Sequence, residues 1–162
     1  MASTYEKIAT TTLSSAAASY TFSSISGAYT DLVLIVNAGA SSPSYDYAMR
    51  FNSDSGNNYS VTRLRGNGST ASSLRTSNNS FMNSTALPSD VSANFITSIQ
   101  NYSNTTTYKT ALIRANNAAG ATEAVVGLWR NTAAITSITI SPEFLVNLLA
   151  GSTLTLYGIK AA

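Results

Sequence analysis

The chain contains neither cysteine nor histidine. The first absence excludes disulfides and thiolate nucleophiles, and the two together exclude zinc sites of the Cys/His type. Without histidine the commonest general base near neutral pH is missing, and no Ser-His-Asp or Cys-His arrangement can be built. Charge is scarce as well. Asp, Glu, Lys and Arg make up 10% of 162 residues, nine basic against seven acidic, where about a quarter is usual. Arg63 and Arg65 are the nearest approach to a basic cluster, so the Lys/Arg stripe of a nucleic-acid binder is absent. The longest apolar run, Leu32-Val33-Leu34-Ile35-Val36, is far too short to span a membrane. Residues 1–7 have no basic stretch leading into an apolar run, so no signal peptide is read there.

What is present is apolar sequence interleaved with hydroxyl and amide side chains. Apolar residues make up 44%, the low-hydrophobicity, high-charge signature of disorder is missing, and the length suits one domain over 1–162. The pattern is strand, turn, strand. Extended segments are expected at 5–13, 20–22, 31–37, 45–52, 58–64, 92–102, 108–115, 123–130, 135–140 and 153–160. Alternation sets their faces: Tyr45, Tyr47, Met49 and Phe51 share one side, as do Tyr59, Val61 and Arg63, then Phe95, Thr97 and Ile99, and Val125, Gly127 and Trp129. The Gly-, Ser-, Thr- and Asn-rich stretch 65–80 reads as a long loop. Ser141, Pro142 and Glu143 ahead of Gly151 allow either a short helix over 142–149 or a wide loop. With no βαβ periodicity, the expected fold is all-β: an antiparallel β-sandwich, jelly-roll-like, with at most one short helix near 142–149.

Candidate chemistry is thin. None of the seven acids sits in a recognisable catalytic setting, and no lysine lies in a nucleophile-elbow context. Asn52-Ser53-Asp54-Ser55-Gly56-Asn57-Asn58 resembles part of a calcium loop but lacks the later bidentate Glu, so a tight hairpin turn with Gly56 and Asn at positive φ is preferred and no metal is expected. Gly66-Asn67-Gly68-Ser69-Thr70 lacks the lysine of a phosphate-binding loop. Tyr45, Tyr47 and Tyr59, close in sequence to Asn52, Asp54 and Asn58, would suit a sugar site, against the simpler reading of aromatic strand residues packed in the core. Trp129 reads as core.

A series of short segments carries a resemblance. Tyr5-Glu6-Lys7-Ile8-Ala9 leads into Tyr29-Thr30-Asp31-Leu32-Val33-Leu34, then Arg50-Phe51-Asn52-Ser53-Asp54 and Asn58-Tyr59-Ser60. Ile99-Gln100-Asn101-Tyr102, Trp129-Arg130-Asn131-Thr132-Ala133-Ala134-Ile135-Thr136-Ser137-Ile138 and Gly151-Ser152-Thr153-Leu154-Thr155-Leu156-Tyr157-Gly158-Ile159 follow. In this order they resemble small virion structural proteins of tailed phages, over nearly the whole chain. The resemblance implies a β-sandwich displayed on the virion, made in the host cytoplasm and commonly trimeric, with no enzymatic activity, catalytic residues or cofactor. One implied role is a capsid decoration or cement protein that clamps the major capsid protein. The alternative is a tail-fibre or appendage tip that binds a host surface glycan or receptor, and the absence of a coiled-coil stalk favours decoration. Tyr5, Tyr45, Tyr47, Asn52, Asp54, Tyr59, Arg63 and Arg65 are the candidate interface or ligand contacts. An extended N-terminal arm, residues 1–9, is expected to be able to add a strand to a neighbour's sheet edge.

Overall fold

The computed structural model describes residues 4–42, 45–90, 93–117, 120–144 and 146–160. Twelve strands form among them: β1 (Tyr5–Thr12), β2 (Tyr20–Phe22), β3 (Asp31–Ala38), β4 (Tyr45–Phe51), β5 (Tyr59–Gly66), β6 (Ala71–Asn79), β7 (Met82–Leu87), β8 (Ala93–Gln100), β9 (Lys109–Asn117), β10 (Ala121–Trp129), β11 (Ile138–Pro142) and β12 (Thr153–Ile159). No described residue is helical. The fold is all-β, as the alternation predicts.

The strands form two antiparallel sheets packed as a sandwich. The larger has eight strands in the order β1-β12-β3-β8-β9-β10-β5-β6, and the smaller has four in the order β2-β11-β4-β7. Set aside the hairpins β5–β6 and β9–β10, and the remaining eight strands pair as β1-β12-β3-β8 and β2-β11-β4-β7. Successive members of those eight lie in opposite sheets, except β4 and β7, which are neighbours. The hairpins widen the larger sheet, and β7 packs across β5, β9 and β10 beneath that extension.

Period-two burial makes the core. Leu32, Leu34 and Val36 of β3, Phe95 and Ile99 of β8, and Leu154 and Leu156 of β12 point inward against Phe22, Met49, Phe51, Ile138 and Ile140 of the smaller sheet. Alternation works here because side chains change face at each residue, so each strand has one buried row. Outside, uncharged groups pair across strands: the hydroxyls of Thr10 and Thr155 lie 2.8 Å apart, and those of Thr21 and Thr139 lie 2.9 Å apart. Asparagine also closes turns. Asn67 Oδ1 accepts the Ser69 and Thr70 amides at 3.1 and 2.8 Å, and Asn104 Oδ1 accepts those of Thr106 and Thr107 at 2.7 and 2.9 Å.

The structure bears on three expectations. The stretch 65–80 is not one loop: it holds the end of β5, a short turn and the whole of β6. β6 is mostly polar, with Leu74 its one large apolar residue, because it is the sheet edge and little covers it, so no apolar period marks it. The 142–149 segment forms no helix among its described residues. Pro142 ends β11, the Glu143 amide donates to Asp46 O at 2.8 Å, and Leu148 bridges both Ala17 and Ala40. Residues 5–9 are not a detached arm. They belong to β1 and pair with β12, where Ile8 and Ala9 pack against the core; residues 1–3 lie outside the described residues.

Candidate functional site

The loop after β4 begins with a tight turn. Asn52 and Ser53 both have positive φ, at 51° and 56°, and the Asp54 amide donates to Phe51 O at 2.9 Å, which is type I′ geometry. Gly56, expected to supply the positive φ, does not; asparagine's tolerance of the left-handed region supplies it at Asn52. The turn aims two polar side chains at the protein itself. Asn52 Oδ1 accepts the amides of Thr136 and Ser137 at 2.8 and 3.1 Å, and its Nδ2 donates to Ala134 O at 2.7 Å. Asp54 accepts from the Trp129 indole N–H at 2.7 Å, from Asn58 Nδ2 at 2.9 Å and from the Gly56 amide at 2.8 Å. Burial alone would raise the Asp54 carboxyl. The donors Trp129, Asn58, Gly56 and Asn131 outweigh it and hold the group below its ordinary value.

The aromatic residues beside this turn face inward. Tyr59 stacks on Trp129 with centroids 6.4 Å apart, and Phe51 meets Trp129 edge-on at 5.6 Å. The Tyr59 hydroxyl accepts the Phe51 amide at 3.0 Å and donates to Asp54 O at 3.2 Å. Desolvation, partly offset by the Phe51 backbone, pushes its phenol up to about 12. Tyr47 stacks on Phe95 at 4.3 Å and is fully buried. Its hydroxyl meets no described residue in hydrogen-bond geometry, and burial pushes its phenol strongly up, offset in small part by the Thr97 hydroxyl. Tyr45 opens β4 opposite Leu87, and its side chain lies outside the described residues. The sugar-platform reading of Tyr47 and Tyr59 is therefore corrected to a core reading. Both tyrosines fall on the inward phase of their strands, where the opposing sheet covers them.

A second cluster lies between the sheets under the added hairpins. Arg63 of β5 reaches Asp46 of β4 at 3.1 Å and Glu123 of β10 at 3.9 Å. Arg65 approaches Glu123 at 3.7 Å. Asn83 Nδ2 donates to Asp46 at 2.9 Å, and the Ser84 hydroxyl donates to Glu123 at 3.4 Å. The Glu123 side chain is wholly buried, and desolvation raises its carboxyl, offset in part by Arg63 and Arg65 and reinforced by Asp46. Glu143 is raised too, first by desolvation and then by Asp46. Asp46 and Glu123 share one guanidinium, which occupies the space between them. Lys109 is a further buried cation, satisfied by Thr107 O at 2.7 Å and Thr132 O at 3.1 Å, and burial lowers its ammonium.

The candidate residues therefore do not converge on one site. Asn52, Asp54 and Tyr59 surround Trp129, Arg63 and Arg65 join the ionic cluster, and Tyr47 lies in the core. Tyr5 is exposed at the opposite edge of the large sheet, edge-on to Tyr157 at 6.4 Å. Sequence reasoning passed over Asp46 and Glu123. Glu123 carried a readable signal, because it is in phase with Val125, Gly127 and Trp129 and so faces inward. Among the described residues no three acidic side chains gather in a metal-holding arrangement. A groove of about 720 Å³ opens beside β5, β6 and β10 and is lined by Leu64, Ser73, Arg114 and Ala124, with Arg65 and Glu123 at its side.

No family model and no curated protein matches the chain.

Proposed function

We propose that this chain is a non-enzymatic structural protein of a tailed-phage virion, a capsid decoration or cement protein that binds the major capsid shell and stabilises it as a homo-oligomer, with the trimer as the expected form. Its working place is the virion surface, after synthesis in the host cytoplasm. The observation that carries the reading is the strand order. The pairs β1·β12, β2·β11, β3·β8 and β4·β7 are nested, with two hairpins added to one sheet, and this supports reading the sandwich as a jelly roll. Jelly rolls recur in viral capsids and in lectins, so the fold alone does not choose between a shell protein and a sugar reader.

Side-chain placement favours the shell. The tyrosines that a glycan site would use, Tyr47 and Tyr59, are internal, and Asn52 and Asp54 are committed to backbone and indole donors. Most carboxylates have internal duties. Glu6 pairs with Lys160 at 2.9 Å, Asp31 accepts the Asn101 amide at 2.7 Å, Asp46 and Glu123 hold Arg63, and Asp54 holds Trp129. The ordered segments that resemble phage virion proteins support the same reading. Quantitative mass spectrometry of purified particles tests it. Hundreds of copies per particle, with a lower shell melting temperature when the gene is deleted, are expected. A handful of copies moves the protein to a tail or fibre, and absence from the particle overturns the reading.

A further inference from the structure

We infer that the outer face of the eight-stranded sheet is the docking surface, and that it fits a protein surface of aliphatic side chains bearing carboxylates. Register puts one row of side chains across all eight strands of that face: Lys7, Tyr157, Val33, Ser98, Leu112, Val126, Thr62 and Arg75. The next row contains Ile35, Ile96, Arg114, Ala124 and Leu64 side by side. Ile35, Leu64, Leu112 and Val126 remain 38%, 61%, 48% and 48% exposed. Among the described residues, the outer face of the smaller sheet carries none of the large exposed apolar side chains; it presents Thr21, Thr139 and Arg50 in one register row. A third row on the large face, from Asn37 through Asn94 and Asn116 to Thr122, is uncharged amide and hydroxyl. An apolar centre with a polar rim is the anatomy of a protein interface.

The charges select the partner. Lys7, Arg75 and Arg114 all lie on this face and make no hydrogen bond or ion pair with any described residue. The first two rows contain no carboxylate, and the one acid at the rim, Asp31, is turned to the Asn101 amide. A second copy placed face to face would bring cations against cations with no acid to receive them, which disfavours self-docking. Nucleic acid fits poorly, because Lys7 and Arg75 stand at opposite edges, ~34 Å apart at the usual strand spacing, with aliphatic residues between them. Three rows across eight strands give a face of about 800 Å², the area that each partner contributes to a standard interface.

This inference rests on the shell-binding reading, and the test separates the two. Shells from particles lacking the gene are refilled with wild-type protein, with Arg114→Glu, with Leu112→Ser and with Leu64→Ser, and Thr21→Asp on the other sheet serves as control. Each protein is first checked for a native far-UV spectrum; the substituted side chains are exposed, and the two serine variants bring no charge onto the sheet. The expected result is wild-type filling by Thr21→Asp and at least a tenfold loss of affinity for Arg114→Glu and for at least one serine variant. Wild-type filling by all the variants overturns the face and leaves the shell reading standing. Wild-type protein that leaves shells bare overturns both. Self-association in sedimentation that Arg114→Glu abolishes would assign the face to a second copy and overturn the acidic partner.

Discussion

Replacing Asp54 with alanine tests whether the turn after β4 is a structural knot. The carboxylate accepts three hydrogen bonds shorter than 3 Å, and one comes from the indole N–H of Trp129, whose ring is fully buried. Loss of the acceptor leaves that N–H without a partner, at a cost of about 1–3 kcal/mol. The Asn58 and Gly56 donors lie nearer solvent and turn to water, adding about 0.5 kcal/mol each. The sum is about 3 kcal/mol, which lowers the melting temperature of a domain this size by roughly 6–12 °C. Urea unfolding followed by tryptophan fluorescence reads both the stability and the Trp129 environment. The pH profile gives a second readout. The folded Asp54 carboxyl lies below its ordinary value, so the folded state binds fewer protons than the unfolded chain in that window. Wild-type stability should therefore fall as the pH drops below about 4, and Asp54→Ala should lack that component. An Asp54→Ala protein within about 0.5 kcal/mol of wild type, with an unchanged acid limb, would refute the reasoning.

Glu123→Gln should be neutral or stabilising by up to about 1 kcal/mol at pH 7, because burial disfavours the ionised acid and Arg63 keeps Asp46. The sign with pH is opposite to that of Asp54: a raised folded value makes wild type gain stability as pH falls towards the ordinary carboxylate range, and thermal melts of Glu123→Gln at pH 7 and pH 5 should lack that gain. Tyr47→Phe removes a buried hydroxyl that makes no well-formed hydrogen bond and interacts only weakly with Thr97, so it should change stability by less than about 1 kcal/mol; a larger loss in chemical denaturation would show that the hydroxyl is satisfied. Gly39→Ala should cost about 3 kcal/mol or more, since a Cβ there would lie 1.7 Å from the Asp90 carbonyl oxygen, which is backbone and cannot swing aside; a melting temperature within 2 °C of wild type would contradict the packing of that corner.

The strands readable in sequence are those with one covered face. Phe95, Thr97 and Ile99, or Val125, Gly127 and Trp129, mark the buried row because the opposing sheet lies over them, and the period-two pattern records it. β6 escaped for the converse reason. It hydrogen-bonds to β5 on one side only and has nothing packed over most of it, so Ser, Thr and Asn serve on both faces and composition alone resembles a loop. The cluster of Tyr47, Tyr59, Asn52 and Asp54 was legible as a neighbourhood, since the short connection 52–58 joins its two strands, although it crosses between the sheets and is not the hairpin the sequence suggested. Its polarity was not, because sequence proximity does not say whether a polar group faces water or a buried indole. The pairing of Asp46 with Glu123 through Arg63 joins three strands drawn from both sheets, a contact that depends on topology.

The distribution of charge links fold and proposed role. In a chain with so few ions, Glu123 and Lys109 are buried and Arg63 is nearly so, which is the costly place to put them unless hydrogen bonds and opposite charges meet them there. Arg63 and Glu123 lie where the β5–β6 and β9–β10 hairpins extend the large sheet past the small one, with β7 beneath. The directional pair between Arg63 and Asp46 ties β5 of that overhang to β4 of the smaller sheet. Fixing it also fixes the outer side of the same strands, where Leu64, Leu112 and Val126 face solvent. The buried ions and the exposed aliphatic rows are thus two sides of one extended sheet, so a change such as Asp46→Asn inside should loosen the geometry of the face outside, although it touches no residue there.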